Sequence, residues 1–134
     1  MNTAYAGTLF EDAEVISLYT RAQALADGDL VDVTEWASAD KGFRGGFRCP
    51  VAMTRALFAF IDIDHARRRT PRQSCEDTRG RAHDALWMGS LALRALLARD
   101  RVAGDYRVLF SGRYKTLHIV LDGDGVTIGF PEDF

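Results

Sequence analysis

The segment YRVLFSGRYKTLHIVLDGDGVTIGF, from Tyr106 to Phe130, decides the fold of this chain. Apolar and polar residues alternate in three runs, and the short turns SGR and DGDG separate the runs. Alternation with a period of two is typical of strands that bury one face, and Asp-Gly is typical of tight hairpins. The segment therefore predicts three antiparallel strands, with Leu117, Ile119 and Leu121 on one face.

A helix is predicted directly after Pro50. Proline is tolerated in the first turn of a helix, because its missing N–H group would have no partner there. The apolar residues that follow recur at intervals of three and four, the pattern of an amphipathic helix packed on a core. This stripe consists of Met53, Ala56, Leu57, Phe60 and Ile61.

The longest helix is predicted to begin after Ser74 or Asp77, since either residue can cap it, and to end near Arg99. Between Ala85 and Leu97 its residues are apolar on most sides of the helix. We therefore expect this helix to be central and the best buried one.

A shorter helix is predicted from Arg21 to Asp27. Thr20 followed by Gln23 has the spacing of a capping box, and Gly28 supplies the left-handed residue with which helices often end. The lead-in before it, residues 1–10, is small and polar and is expected to be loose.

Two further short elements follow Gly28. LVDVT, from Leu30, alternates as a strand does and predicts a fourth strand. Thr34 can cap one or two helical turns that end at Gly42. Helices first and a meander last predict an α+β domain, in which three to four helices pack on a small antiparallel sheet that ends in a C-terminal β-meander.

The composition bounds the class of protein. A chain of 134 residues, 47% of them apolar, has the size and composition of one globular domain over residues 1–134. The formal net charge is −2 with both signs interspersed, which argues against an acidic mimic of DNA and against a general polyanion binder.

The same sequence predicts a cytoplasmic protein. The N-terminus has no basic and apolar signal segment, and the uncharged run from Ala85 to Leu93 is too short to cross a bilayer. Cys49 and Cys75 lie far apart in no metal-ligand spacing. Reduced thiols are the simplest interpretation, and one disulfide stays open as the alternative.

Three blocks of the sequence resemble an uncharacterised family of small proteins carried by bacterial phages and plasmids. The blocks are VDVTEWA, then GF followed shortly by PVAMTRALF, and then DTRGRAHDALWM. The resemblance extends from about Val15 to Phe130. It implies a context of mobile genetic elements and supplies no mechanism, because the family is a domain of unknown function.

The stretch KGFRGGFRCP, residues 41–50, is longer than the corresponding passage of that family and has two interpretations. Its glycines favour a surface loop that leads into the next helix. Alternatively it is a contact loop, whose aromatic rings stack on bases or fill a pocket while its cations meet phosphate or acidic side chains. The contact residues would be Lys41, Phe43, Arg44, Phe47 and Arg48.

An arginine cluster follows the helix predicted after Pro50. Its members are Arg67, Arg68, Arg69 and Arg72, with Arg79 and Arg81 beyond. A solvated charged loop and an electrostatic patch for a nucleic acid or an acidic protein are the two interpretations. Neighbouring acidic residues partly neutralise the cluster.

A cysteine nucleophile at Cys75, with His83 as base and Asp84 as its orienter, is disfavoured. Adjacent residues on a helix point about 100° apart, so His83 and Asp84 are not expected to pair with each other. The resembling family also usually has tryptophan at the position of His83. A packing role or a surface hydrogen bond is predicted for the imidazole.

No cofactor or metal site is predicted. Asp62, Asp64 and His65 are ligand types for divalent ions, but a solvated helix end explains them better. DGDG, residues 122–125, lacks the other carboxylates of a calcium loop and predicts a hairpin turn.

The sequence as a whole predicts a non-enzymatic protein that binds a host protein or nucleoprotein complex, such as a CRISPR effector or a restriction complex, and inhibits it. The expected contact residues are the five of the loop together with Arg67, Arg68 and Arg69. Direct binding of nucleic acid is the first alternative, and a small enzyme or ligand-binding module is the second.

Overall fold

The computed structural model describes residues 20–38, 46–67 and 78–134, and of residues 63–67 it describes the backbone alone. In chain order the elements are helix α1 (Arg21–Asp27), strand β1 (Leu30–Asp32), helix α2 (Thr34–Ala37), strand β2 (Val51–Thr54), helix α3 (Arg55–Arg67), helix α4 (Thr78–Leu97), strands β3 (Ala103–Phe110), β4 (Arg113–Asp122) and β5 (Gly125–Gly129), and a short 3-10 helix (Pro131–Asp133). The predicted α+β class is confirmed, with four α-helices and five strands among the described residues. The expected lead-in, residues 1–10, lies outside them.

The five strands form one mixed sheet in the order β1-β2-β5-β4-β3. The predicted meander is confirmed, since β3 pairs antiparallel with β4 and β4 with β5. The prediction of a purely antiparallel sheet is wrong at the centre, where β2 and β5 run parallel. Two helices and a hairpin separate these strands in sequence, which is enough chain to return in the same direction.

The segment Val51–Thr54 is a strand, so the prediction of a helix directly after Pro50 is wrong. All four of its residues are buried, and Val51 pairs with Val126 of β5. The helix begins at Arg55, and the Thr54 hydroxyl accepts a hydrogen bond from the backbone N–H of Leu57 at 3.3 Å. Thr54 therefore caps α3, a role that its residue type allows.

Helix α1 is confirmed with both of its predicted ends. The Thr20 hydroxyl accepts from the Gln23 N–H at 3.0 Å, and the Gln23 side chain accepts from the Thr20 N–H at 3.0 Å. Gly28 is left-handed, with φ 83°. This helix lies on the face of the sheet opposite to α3 and α4, since Arg21 donates to the Thr127 hydroxyl at 2.8 Å and to the Val126 carbonyl at 2.7 Å.

The strand predicted at LVDV is confirmed as β1, and helical residues follow it as expected. Thr34 does not cap α2, whose N-cap is Val33. Instead the Thr34 hydroxyl accepts from the Val51 N–H at 3.0 Å, and the Asp32 carboxylate accepts from the Thr34 N–H at 2.9 Å. Hydrogen bonds from Thr34 hold the pKa of Asp32 below its usual value. These contacts join α2 to β2. The predicted stop at Gly42 lies outside the described residues.

Helix α4 is the longest helix, as predicted, and it packs on the sheet along one side only. Its inner side is buried and comprises Arg81, Ala82, Ala85, Leu86, Gly89, Ser90 and Leu93. Gly89 brings the helix close to β3, because a Cβ atom there would lie 2.8 Å from the hydroxyl oxygen of Tyr106. The outer side of α4 is not buried, because Met88, Leu91 and Leu97 are exposed although this stretch of the helix is apolar on most sides.

Candidate functional site

The outer side of α4 carries exposed apolar side chains in the middle of the helix. Met88 is 39% exposed and Leu91 is 42% exposed, and Trp87 beside them is half-buried. Residues three and four apart on a helix lie on the same side, so these three side chains are neighbours. Surface Leu and Met side chains are ordinary one by one, whereas an adjacent group of them is informative.

This apolar group continues towards α2 through a row of residues spaced four apart. The row consists of Arg79, His83, Trp87 and Leu91. The His83 and Trp87 rings are nearly parallel, with 4° between their planes and 6.5 Å between their centres. At the end of the row the Arg79 guanidinium lies 5.2 Å from the centre of the Trp36 ring of α2.

We name this region the outer α4 surface and define it as Trp36, Arg79, His83, Trp87, Met88 and Leu91. Its centre is apolar, and Arg79 and the exposed Arg94 lie towards its two ends. Trp36 in turn packs on Phe58, with 6.2 Å between the ring centres. Trp36, at one end of this surface, is therefore held in place by packing on α3 and is not an isolated side chain.

The contact between His83 and Asp84 differs from the expectation that the two cannot pair. The Nδ1 atom of His83 lies 3.7 Å from an Oδ1 atom of Asp84, and about half of each side chain is exposed. This separation is within reach of an ion pair if the imidazole is protonated, but it is too long for a hydrogen bond. The pairing is a weak surface contact. Cys75 lies outside the described residues.

Arg81, in the block DTRGRAHDALWM, has a structural role on the inner side of α4. Arg81 is 3% exposed, and its guanidinium lies 5.6 Å from the ring centre of Phe60 and 5.5 Å from that of Phe110. It also donates a hydrogen bond to the Ser111 hydroxyl. Arg81 therefore does not belong to a surface patch of arginines, because it is buried against the Phe60 and Phe110 rings.

The structure corrects one residue of the predicted contact loop. Phe47 is 7% exposed and belongs to the hydrophobic core, so the expectation of an exposed aromatic ring at this position is wrong. Its N–H donates to the Ala37 carbonyl at 2.9 Å, and it forms a β-bridge with Ser38. The backbone bonds draw the ring in against the core beside α2.

The other predicted contact residues stay predictions. Lys41, Phe43 and Arg44 lie outside the described residues, as do Arg68 and Arg69. Arg48 is exposed, as a contact residue must be. Arg67 is the last residue of α3.

In the part of the chain that the structure describes, no group of three or more His, Cys, Asp or Glu side chains is placed to hold a metal ion. Asp62 accepts a hydrogen bond from the Thr78 hydroxyl at 2.9 Å and so joins the end of α3 to the start of α4. The side chains of Asp64 and His65 lie outside the described set.

The segment DGDG forms the turn between β4 and β5, as predicted, with the Asp122 carboxylate accepting from the Asp124 N–H at 2.8 Å.

A cleft of about 610 Å³ opens on the opposite face of the sheet, between α1, the start of α3 and the C-terminus. Its charged lining residues are Arg21, Arg55, Asp29, Asp122, Asp124 and Asp133. Much of this charge already serves internal bonds. Arg55 lies 3.2 Å from Asp29, and Asp133 accepts from the Thr54 hydroxyl at 2.7 Å and from the Phe130 N–H at 2.9 Å.

Sequence reasoning missed this cleft. The block PVAMTRALF predicts a continuous helix, whereas Thr54 and Arg55, which line the cleft, mark the change from strand to helix. An excess of carboxylates lines the cleft, so it is unsuited to nucleic acid. The hydrogen bonds around the cleft fix α1 and the C-terminus to the sheet, so the cleft has a structural role.

The fold and this surface define a small α+β protein with an exposed apolar helix side among its described residues. The chain belongs to the "Family of unknown function (DUF6573)", whose profile matches residues 6–96. The matched region includes the three resembling blocks and ends at Leu96, before the meander. No curated protein and no solved structure matches the chain. Among the described residues, no helix is both long and apolar enough to cross a membrane.

Proposed function

We propose that this protein is a non-enzymatic binding protein that docks on a partner protein through the outer α4 surface. The observation that carries the proposal is the adjacent exposure of Met88 and Leu91 in the middle of the longest helix. Burying such a side chain fully is worth ~1.5–3 kcal/mol relative to leaving it exposed. Met88 is 39% and Leu91 42% exposed, so a partner that covers both residues gains the corresponding fraction of this energy from each.

The composition of the surface also supports a protein partner. Tryptophan, methionine and arginine are enriched in protein–protein interfaces, and tryptophan and arginine dominate their binding energy. Trp36, Trp87 and Arg79 bring these residue types together. The Arg79 guanidinium is already placed over an aromatic ring, which reduces the entropy that binding would cost it.

The described residues on either side of the predicted contact loop lie beside α2, where Ser38 and Phe47 form a β-bridge. The Trp36 side chain of the same helix meets Arg79. Lys41, Phe43 and Arg44 are therefore proposed to extend the outer α4 surface, whereas Phe47 has a core role.

In its more specific form, the proposal is that the protein is an inhibitor carried by a phage or plasmid, acting in the cytoplasm of the bacterial host. The partner would be a component of a defence complex, such as a CRISPR effector or a restriction complex. The resemblance to proteins of mobile elements and the small size of the chain support this form. Inhibition follows from mass action if the docked protein covers a site that the complex needs.

The test is plaque formation on a panel of bacterial hosts, each with one CRISPR or restriction system that blocks a challenge phage. Expression of the wild-type protein is expected to restore plaques on at least one host. Leu91→Glu places a charge in the contact and is expected to reduce the restoration at least ~10-fold, since a loss of 1.4 kcal/mol is tenfold in affinity.

Leu97→Glu is the matched control, because Leu97 is exposed on the same helix and points in another direction. It is expected to restore plaques as the wild type does. Failure of the wild type on every host would contradict the anti-defence form. Equal restoration by Leu91→Glu would remove the outer α4 surface from the account.

A gel shift separates this proposal from direct binding of nucleic acid. Contacts of arginines with phosphate predict an affinity for bare DNA or RNA that falls steeply as salt is raised. Protein docking predicts no shift with bare nucleic acid at low salt. A salt-sensitive shift would favour the alternative function.

A further inference from the structure

Strand β3 forms one edge of the sheet. It runs for eight residues, from Ala103 to Phe110, and pairs with β4 along its whole length without a bulge. In the described ranges, 20–38, 46–67 and 78–134, no second strand pairs with it. A long and regular edge strand is a template for pairing with another chain.

The backbone groups that face outward can be assigned from the ladder. The Leu121 N–H donates to the Val102 carbonyl at 2.8 Å, so Val102 directs its backbone groups towards β4. Because these groups alternate along a strand, the residues at even positions of β3 also face β4. The residues that direct their N–H and C=O groups away from the sheet are Ala103, Asp105, Arg107 and Leu109.

We propose that two copies of this protein associate through antiparallel pairing of their β3 strands, centred on Tyr106. In this register Asp105 of each copy lies opposite Arg107 of the other. Both residues direct their backbone groups outward, so each such pair exchanges two backbone hydrogen bonds. The two five-stranded sheets then form one continuous sheet.

Charge complementarity selects this register. The Asp105 and Arg107 side chains are exposed and point to the same face of the sheet, opposite to the buried Tyr106. Opposite charges across a strand pair stabilise it, and like charges destabilise it. Pairing centred on Arg107 instead would place the two Arg107 side chains against each other.

Existing contacts hold the two charged side chains over the sheet. The Asp105 carboxylate lies 2.6 Å from the Nδ1 atom of His118, and the Arg107 guanidinium lies 4.7 Å from the ring centre of Tyr114. A carboxylate accepts several hydrogen bonds, so the contact with His118 leaves capacity for a second partner. The side chains are thus partly ordered before the copies meet.

The same register covers exposed apolar side chains at both ends of the strand. Leu109 is 47% exposed and would lie opposite Ala103 of the second copy. Val102, just before the strand, is 52% exposed and would lie opposite Phe110 of the second copy. Apolar burial and backbone pairing therefore coincide with the charge pairs.

The experiment measures molar mass by sedimentation equilibrium. The wild type is expected to reach twice the monomer mass of 14.9 kDa as its concentration rises. Asp105→Arg and Arg107→Asp each place like charges opposite one another and are expected to be monomeric. Circular dichroism establishes that each variant is folded.

Sedimentation of a mixture of the two monomeric variants is the decisive test of the proposed register. A copy with Asp105→Arg has two cations on its edge, and a copy with Arg107→Asp has two anions, so the mixture is expected to form a heterodimer. Arg48→Asp is the matched control, since Arg48 is exposed and precedes β2, which β5 and β4 separate from β3. This variant is expected to dimerise as the wild type does.

Three results would overturn the inference. They are a wild type that stays monomeric at its highest soluble concentration, single variants that remain dimeric, and folded single variants that stay monomeric when mixed. The inference is independent of the proposed function, because the outer α4 surface takes no part in the β3 edge.

Discussion

The inner and outer sides of α4 are both apolar in composition and differ in their surroundings. Leu86 on the inner side is buried against the sheet, whereas Leu91, five residues further along, is exposed. Tertiary structure makes this difference, because the sheet offers the helix one face and covers one side of it. Apolar composition alone does not separate a residue that builds the core from one that is available to a partner.

The largest expected effect compares these two leucines. Leu86→Ala leaves a cavity in the core and is expected to lower the free energy of unfolding by about 2–5 kcal/mol. Leu91→Ala is expected to change it by no more than about 0.5 kcal/mol, as is usual for surface substitutions. Urea denaturation of both variants measures the difference, and equal losses would contradict the assignment of the two sides.

The next effect tests how closely the inner side approaches β3. Gly89→Ala is expected to lower the free energy of unfolding by about 1–3 kcal/mol, because its Cβ would lie 2.8 Å from the Tyr106 hydroxyl oxygen. Much of this loss is expected to be recovered when Gly89→Ala is combined with Tyr106→Phe, which removes that oxygen. Additive losses in the double variant would argue against the close approach.

A smaller effect concerns the hydroxyl of Tyr106 itself. It donates to the Ala85 carbonyl at 2.9 Å, and burial raises the pKa of the phenol well above its usual range. Tyr106→Phe is expected to cost about 0.5–1.5 kcal/mol of unfolding free energy, the net worth of one hydrogen bond. Tyr114→Phe, at an exposed tyrosine, is the control and should be neutral.

The smallest effect tests whether the block VDVTEWA is scaffold like the inner side of α4. Thr34 lowers the pKa of Asp32 in the folded chain, so this carboxylate adds stability above its unfolded pKa and loses it as the pH falls through its folded pKa. Asp32→Asn is therefore expected to be less stable than the wild type at neutral pH, with the gap closing in acid. Thermal melts from pH 7 to pH 2 measure this, and a constant gap would contradict it.

Local patterns predicted the elements that local chemistry determines. The capping box at Thr20, the left-handed Gly28 and the Asp-Gly turn all occur as expected, and so do the three alternating strands. Met53 fits a helical stripe, and this local pattern predicts a helix where the structure has the strand Val51–Thr54. Its pairing with β5, more than 70 residues away, overrides that local signal.

The site was less predictable than the fold. Phe47 was expected on the surface because glycines and cations surround it, and its burial depends on long-range packing that the sequence does not display. Both interpretations of the arginine cluster, a solvated loop and an electrostatic patch, place Arg81 at the surface, whereas the side chain is buried. The sequence shows the apolar residues of the outer α4 surface, but their exposure depends on which side of the helix the sheet covers.

The most direct measurement of the central claim is site-specific photocrosslinking in a host on which the protein restores plaques. A photoreactive phenylalanine analogue replaces Leu91 in one variant and Leu97 in another. The account predicts that position 91 forms a covalent adduct with a component of the defence complex and that position 97 does not. No adduct at position 91, or the same adduct from both positions, would contradict docking through the outer α4 surface.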